Sequence, residues 1–225
     1  MSRIRPLKRA PIAYEGRLVV LIVAAVALLA AGIFGGAVAW GALPAIALVT
    51  WFYRDPQRHT PAVPLALVAP CDGIVNATGT GFDPWLGRPA AWITVRMGLF
   101  DVHGLYGPVE GKIIEQWSTP RHRPPEGVQT HALGYHIRTD EGDDIVLEIA
   151  RDRIAAALSF AYQPGERIGL GRRLGIAPLG CRITLYCAAN SSAAVDVGGR
   201  VAGGSTLVMH LVHAKPVVAA TAVAG

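Results

Sequence analysis

Three thiols and seven imidazoles carry most of the chemical scope of this 225-residue chain, and their spacing narrows what they can do. The cysteines, Cys71, Cys181 and Cys187, are too few and odd in number for a disulfide framework, which fits a reducing compartment. The histidines His59, His122, His131, His136, His210 and His213 lack the tight ligand spacing, with cysteines close by, of a zinc site, so no metal is expected. Nucleophilic and acid–base chemistry remains. A thiol is a weak nucleophile until a base takes its proton, and an imidazole base needs a carboxylate to fix its tautomer. Taken singly, Asp72 reads as a turn aspartate ahead of Gly73, His103 as a polar side chain at a strand end, and Cys71 as a small buried residue.

The elements that must position such groups begin with an anchor. Leu18–Tyr53 is 36 residues without a charged side chain. As one straight helix it would measure about 54 Å, against roughly 30 Å of hydrocarbon in a bilayer. Gly32, Gly35, Gly36 and Pro44 interrupt it, so the run reads as a transmembrane helical hairpin turning at Gly35-Gly36, with one tilted helix as the alternative. Arg3, Arg5, Lys8, Arg9 and Arg17 precede the run and Arg54 and Arg58 follow it, which puts both ends, and the soluble domain, on the cytoplasmic side of the cell membrane. A cleaved leader ending at Ala37-Val38-Ala39 is disfavoured because the apolar stretch continues past the cut. The formal charge of +5 flanks the anchor or scatters through loops; anionic headgroups are its partner and no nucleic acid is expected. Trp51, Phe52 and Tyr53 form an aromatic belt at the exit.

Beyond the anchor, residues 54–64 carry three prolines and read as a linker that lifts the chain off the membrane. From residue 65 to 225 short apolar segments bounded by Gly, Pro, Asp and Asn predict many strands: Leu65–Ala69, Ala91–Met97, Gly134–Thr139, Ile145–Ile149, Ile183–Tyr186 and Thr206–Val212. The fold class is mainly β, an antiparallel barrel- or sandwich-like domain. One helix is predicted, Arg151–Tyr162, from the spacing of Ile154, Leu158 and Tyr162 and the stop at Pro164-Gly165. The turns in Val68–Val75 and Val195–Leu207 are of the kind that builds biotinyl and lipoyl carriers, but neither holds a lysine for a prosthetic group.

Four stretches, taken in order, carry a resemblance: Phe52–Pro56 (FYRDP), Ala69–Val75 (APCDGIV), Phe100–Gly111 (FDVHGLYGPVEG) and Leu170–Leu185 (LGRRLGIAPLGCRITL). Together they are similar to the short, membrane-associated phosphatidylserine decarboxylases of bacteria and archaea, whose pattern reads FFRDP, SPADG, DVHxNRxP and GxxxGxIxFGSRV. The resemblance implies a carboxy-lyase made as a zymogen, which cuts itself and turns the residue after the cut into a pyruvoyl group. That group then acts as the electron sink that releases CO₂ from phosphatidylserine and leaves phosphatidylethanolamine. It further implies Asp72 and His103 as the groups that activate the nucleophile, Asp101 as the residue that orients His103, and Gly180-Cys181 as the cleavage site, with Arg182 following. The implied partners are the bilayer, its phospholipid substrate and the two self-cleaved fragments for each other; a homo-oligomer is left open.

The chain departs from that pattern at informative places. Cysteine stands where the family has serine, so the pyruvoyl group would derive from Cys181. A thiol is competent for the first acyl shift, and loss of a thiocarboxylate would complete the second step. Leu105-Tyr106 replaces Asn-Arg, which raises the question of whether Tyr106 takes over the arginine's role. Gly204-Ser205 also imitates a cleavage pair, but its neighbours fit the hairpin Val197–Leu207, so Cys181 is preferred. A non-catalytic member of the family, binding lipid or a membrane partner, is the alternative.

Overall fold

The computed structural model describes residues 14–118, 132–150, 159–177 and 180–212. The apolar N-terminal run forms two helices, α1 (Tyr14–Phe34) and α2 (Gly36–Phe52). Gly35 separates them at φ 87°, a left-handed conformation that glycine adopts without a Cβ clash. The helices fold back on one another: a Cβ on Gly16, near the start of α1, would lie 2.2 Å from the ring of Tyr53, just past the end of α2. The predicted hairpin therefore forms with its turn where Gly35-Gly36 stands. Gly16–Phe34 is long and apolar enough to cross a membrane. The 17 residues of α2 make a shorter rod of about 25 Å. Leu21, Leu28, Leu29, Ile33 and Phe34 stand exposed on α1, the face an apolar solvent would cover.

The β domain runs β1 (Ala66–Val68), β2 (Gly73–Asp83), β3 (Arg88–Arg96), β4 (Gly104–Tyr106), β5 (Gly111–Trp117), β6 (Ala132–Arg138), β7 (Asp144–Ala150), β8 (Ser159–Phe160), β9 (Arg167–Ile168), β10 (Arg173–Ile176), β11 (Arg182–Ala188), β12 (Ser192–Ala193), β13 (Arg200–Val201) and β14 (Leu207–His210). Eight of these make one antiparallel sheet in the order β13-β2-β3-β11-β7-β6-β5-β9, flanked by the small sheets β1-β14-β12 and β4-β10-β8. The sheets stay open rather than closing into a barrel. Each predicted apolar segment contains or overlaps a strand, and Ile145–Ile149 and Ile183–Tyr186 are buried along their whole length, as a short continuous apolar run bounded by turn residues requires.

The predicted helix Arg151–Tyr162 is a partial correction. Residues 151–158 lie outside the described residues, but Ser159–Phe160 is a strand pairing with Gly175 and Ile176 of β10. Phe160 also stacks on Tyr135 with ring centroids 3.9 Å apart. Backbone pairing and an aromatic contact outweigh the weak fourfold spacing that suggested a helix there.

The large sheet buries both faces. Ile93, Val95 and Met97 of the β3 strand and its extension join Ile183, Leu185 and Cys187 of β11 in the main core. The opposite face carries a smaller cluster with Trp85, Trp117, Val146 and Tyr186. There the buried Glu148 carboxylate accepts hydrogen bonds from Trp85 Nε1 at 2.7 Å and Tyr186 Oη at 3.2 Å. Burial raises the Glu148 pKa, opposed by those two donors.

Candidate active site

The segment after the hairpin is irregular but anchored in the β domain through its side chains. Asp55 Oδ2 accepts from Arg173 Nη1 at 2.6 Å, and Asp55 Oδ1 accepts from Tyr106 Oη at 3.2 Å. Three residues on, Arg58 Nη2 donates to Asp72 Oδ2 at 2.7 Å while its guanidinium lies 5.7 Å from the centre of the Tyr106 ring. Burial is the largest single influence on Arg58 and works against its charge, but the hydrogen bond and charge of Asp72 together with Tyr106 outweigh it, and the group is held more firmly cationic than usual. Burial first, and Asp55 next, push the Tyr106 hydroxyl up to about 12, so it stays a donor at neutral pH.

Tyr106 has no freedom to move. A Cβ at Gly104 would sit 2.7 Å from its hydroxyl, and one at Gly203 would sit 2.6 Å from its ring and 2.9 Å from the Cys71 carbonyl carbon. The glycines at these positions let the backbone close around the ring. Gly203 uses that closeness: its N–H donates to Asp72 Oδ1 at 2.7 Å. Both oxygens of Asp72 are thus engaged, one by a backbone N–H and one by an arginine.

His103 is buried, and among the described residues neither ring nitrogen has a hydrogen-bond partner. An orphaned buried imidazole is costly to keep unless it serves a purpose. Its ring stacks on Phe52, the last residue of α2, with centroids 4.4 Å apart and planes 23° from parallel. Burial is the largest influence on its pKa and lowers it; Arg54 lowers it further, while Asp101 and Asp72 work the other way. The net effect is a neutral ring at pH 7, able to accept a proton. Phe52, Tyr53, Arg54, His103, Gly104, Arg173 and Ile176 line a cleft, next to a second one lined by Asp55, Pro56, Arg58, Tyr106, Gly171 and Arg173.

Cys181 lies at the entry to β11, buried in the main core. Arg96 of β3 is level with Ile74 on one side and Arg182 on the other. The Met97 N–H donates to the Cys181 carbonyl at 3.1 Å, which extends the β3–β11 pairing by one residue. The chain leaving Met97 is the loop that reaches His103, and the His103 carbonyl accepts from Ala177 N–H at 2.8 Å, three residues before Gly180. Gly180 itself is left-handed, φ 68°, and open space surrounds its Cβ position. Cys71 reports the same neighbourhood: its thiol pKa is raised well above the ordinary value by burial first, then by Cys181, Asp72 and Asp101.

Asp72 and Asp101 therefore act on both Cys71 and His103, and Cys181 acts on Cys71, while among the described residues His103 makes no hydrogen bond to either carboxylate. Asp101 closes its own loop instead, its Oδ2 accepting from Gly98 N–H at 2.8 Å. Arg182 is apart from the thiol, since side chains alternate along a strand and its neighbours on that face are Thr184 and Tyr186. Gly204-Ser205 sits in a tight turn, with Ser205 and Thr206 N–H both bonded to the Ala202 carbonyl, but the expected hairpin Val197–Leu207 is not what forms: β13 before the turn pairs with β2 and β14 after it with β1 and β12, in different sheets.

A family model described as phosphatidylserine decarboxylase matches residues 45–209, which spans every group just described. The chain belongs to the phosphatidylserine decarboxylase family. A relative from Burkholderia vietnamiensis, named phosphatidylserine decarboxylase proenzyme, is 32% identical over 212 residues, covering 89% of this chain and 96% of its own length. A proenzyme of the same name from Nitrosomonas eutropha is 33% identical over 165 residues, 71% of this chain and 76% of its own. A third, from Burkholderia multivorans, is 31% identical over 212 residues, with 89% and 96% covered.

Within this family member four residues of the site had no chemical reading in the sequence: Phe52, Asp55, Arg58 and Arg173. The FYRDP stretch pointed to two of them, Phe52 and Asp55, as family markers. Nothing local pairs Arg58 with Asp72 or Arg173 with Asp55, because those contacts join segments far apart in the chain. Phe52 makes a testable link between the anchor and His103. Replacing Phe52 with Ala opens the imidazole to water, and the midpoint of any pH-dependent step that uses neutral His103 is expected to move up toward 6.5. Phe52→Trp should restore the wild-type midpoint, and a pH profile of self-cleavage for the three proteins reads the result.

Proposed function

We propose that this chain is a membrane-bound, self-processing decarboxylase that converts phosphatidylserine to phosphatidylethanolamine, cut between Gly180 and Cys181, with its soluble domain on the cytoplasmic side. The single observation that carries the reading is the Gly180-Cys181 pair, its thiol buried, beside a loop that ends in a buried imidazole with no hydrogen-bond partner among the described residues. The names of the relatives support the substrate and the proenzyme state.

In this reading His103 takes the Cys181 thiol proton as the sulfur attacks the Gly180 carbonyl carbon. The C–S bond forms, the peptide C–N bond breaks, and the proton passes to the freed Cys181 nitrogen. Loss of the Cys181 Cα proton then expels the thiocarboxylate, leaving Gly180 with sulfur in place of one terminal oxygen. Hydrolysis of the resulting dehydroalanine consumes one water and releases ammonia. The pyruvoyl group that would remain at position 181 supplies the electron sink for loss of CO₂. Asp72, fixed by Arg58 and Gly203, sets a negative field near His103, and Arg54 at the cleft mouth offers a cation to the lipid phosphate.

Intact-mass measurement of the purified chain tests this directly. The expected result is two fragments, 1–180 and 181–225, the larger carrying a terminal thiocarboxylate that releases sulfide on hydrolysis and the smaller blocked at its N-terminus. A single uncut chain of 23.7 kDa overturns it. A smaller fragment beginning with a free cysteine shows instead that the thioester hydrolysed before elimination. The non-catalytic reading is favoured by one observation, the absence of a hydrogen bond from either carboxylate to His103, and it predicts the uncut chain.

A further inference from the structure

Two large apolar side chains stand at the tip of the loop that leads from Met97 to His103. Leu99 is 63% exposed and Phe100 79% exposed. They occupy the middle of a closed turn, in which Gly98 N–H donates to Asp101 Oδ2 at 2.8 Å and Asp101 N–H reaches the Gly98 carbonyl at 3.4 Å. Turn tips favour Gly, Asn, Asp, Ser and Pro, so a Leu-Phe pair there contradicts the local rule. Such conflicts are expected where a site is functional.

The tip is tied to the hairpin exit. Arg54 Nη2 donates to the Phe100 carbonyl at 2.7 Å, and Nη1 of the same group reaches the Trp51 carbonyl at 3.3 Å. The guanidinium also lies over the Trp51 ring, 4.2 Å from its centroid, and Trp51 is itself 57% exposed. One cation therefore joins the aromatic end of α2 to the apolar tip.

We propose that Leu99-Phe100 is a second membrane contact, inserted at the boundary between headgroups and acyl chains beside the exit of the hairpin. Continuity with the hairpin decides the occupant: if α2 ends at the interface, a tip bonded to its exit through Arg54 lies there too. Arg54 and the exposed Arg200, 3.8 Å from Asp101, supply positive charge toward anionic headgroups. A second copy of the chain is a poorer occupant, since a stable protein interface buries roughly 1,200–2,000 Å² and two side chains fall far short. The contact would hold the loop that carries His103 against the bilayer beside Phe52. It rests on the membrane reading of the hairpin given above and is independent of the chemistry at Cys181.

Depth-dependent quenching tests it in the full chain. Phe100→Cys, Val26→Cys in α1 and Glu141→Cys in the β6–β7 turn each receive an environment-sensitive maleimide fluorophore; Cys71, Cys181 and Cys187 are buried. Each protein is reconstituted in phosphatidylethanolamine–phosphatidylglycerol vesicles whose lipids carry bromine at shallow or deep acyl positions. The expected result is at least about twofold quenching at position 100 by shallow bromines, deep quenching at 26 and none at 141. A label at 100 that behaves like the one at 141, while 26 is quenched, overturns the second contact alone. Loss of quenching at 26 overturns the membrane reading of the hairpin together with it.

Discussion

Replacing Cys181 with alanine is expected to leave one uncut chain and to abolish CO₂ release from phosphatidylserine, a loss on the order of 10³-fold or more. Alanine has no atom to attack the Gly180 carbonyl and no group to lose from Cβ, so both steps of pyruvoyl formation fail together. The fold should survive, because removing one sulfur from the core costs only about 1 kcal/mol. Cys181→Ser separates the nucleophile from the rest of the site. It is expected to cut, leaving an ordinary carboxylate at Gly180 instead of a thiocarboxylate, which intact-mass measurement distinguishes. The other two cysteines are internal controls. Burial holds the Cys71 thiol protonated, and the Cys187 thiol donates to the Ala91 carbonyl at 3.4 Å, so Cys71→Ala and Cys187→Ala should both still cut. A Cys181→Ala chain that splits as the wild type does would remove Cys181 from the chemistry.

The second large effect is expected at His103. His103→Ala should slow self-cleavage by about 10²–10⁴-fold, the usual worth of a positioned general base. The pH dependence gives the finer test. The working form is the neutral ring, and its pKa is depressed, so wild-type cleavage should hold to below pH 6.5 and fall only as the pH drops through that lowered value. Arg54 contributes to the lowering, so Arg54→Ala moves the midpoint up. Asp101 opposes it, so Asp101→Asn moves the midpoint down. Single-turnover cleavage of freshly synthesised chain, followed across pH on denaturing gels, measures all four proteins. A midpoint that stays put in both variants would show that some other group titrates.

Much of this site could be read along the chain because its parts lie in short, dense stretches. Asp72 and Gly73 form one such stretch, and the glycine has a structural reason: a Cβ there would meet the Arg96 carbonyl oxygen at 2.3 Å. The Gly180-Cys181 pair likewise stands where an irregular turn enters a buried strand. Strands were legible wherever a short apolar run stood between turn residues, as in the continuously buried β7 and β11, and least so at Ser159–Phe160, a two-residue strand defined only by its partner in β10. The segment 54–64 read as a spacer because its prolines exclude regular structure. A spacer leaves no role for its polar side chains in the β domain, whereas Asp55 and Arg58 are largely buried there in ion pairs.

By itself the sequence determined the helical hairpin, the β class and the family motifs, since each depends on composition or on spacing within a few residues. Only the tertiary structure decided that Arg58 holds Asp72, that Asp101 turns toward Gly98, that Arg182 faces away from Cys181, and that the anchor ends on the imidazole of His103. Those facts depend on which distant segments the sheet register brings level, and on which face each side chain takes when it does. Local patterns carry no record of either.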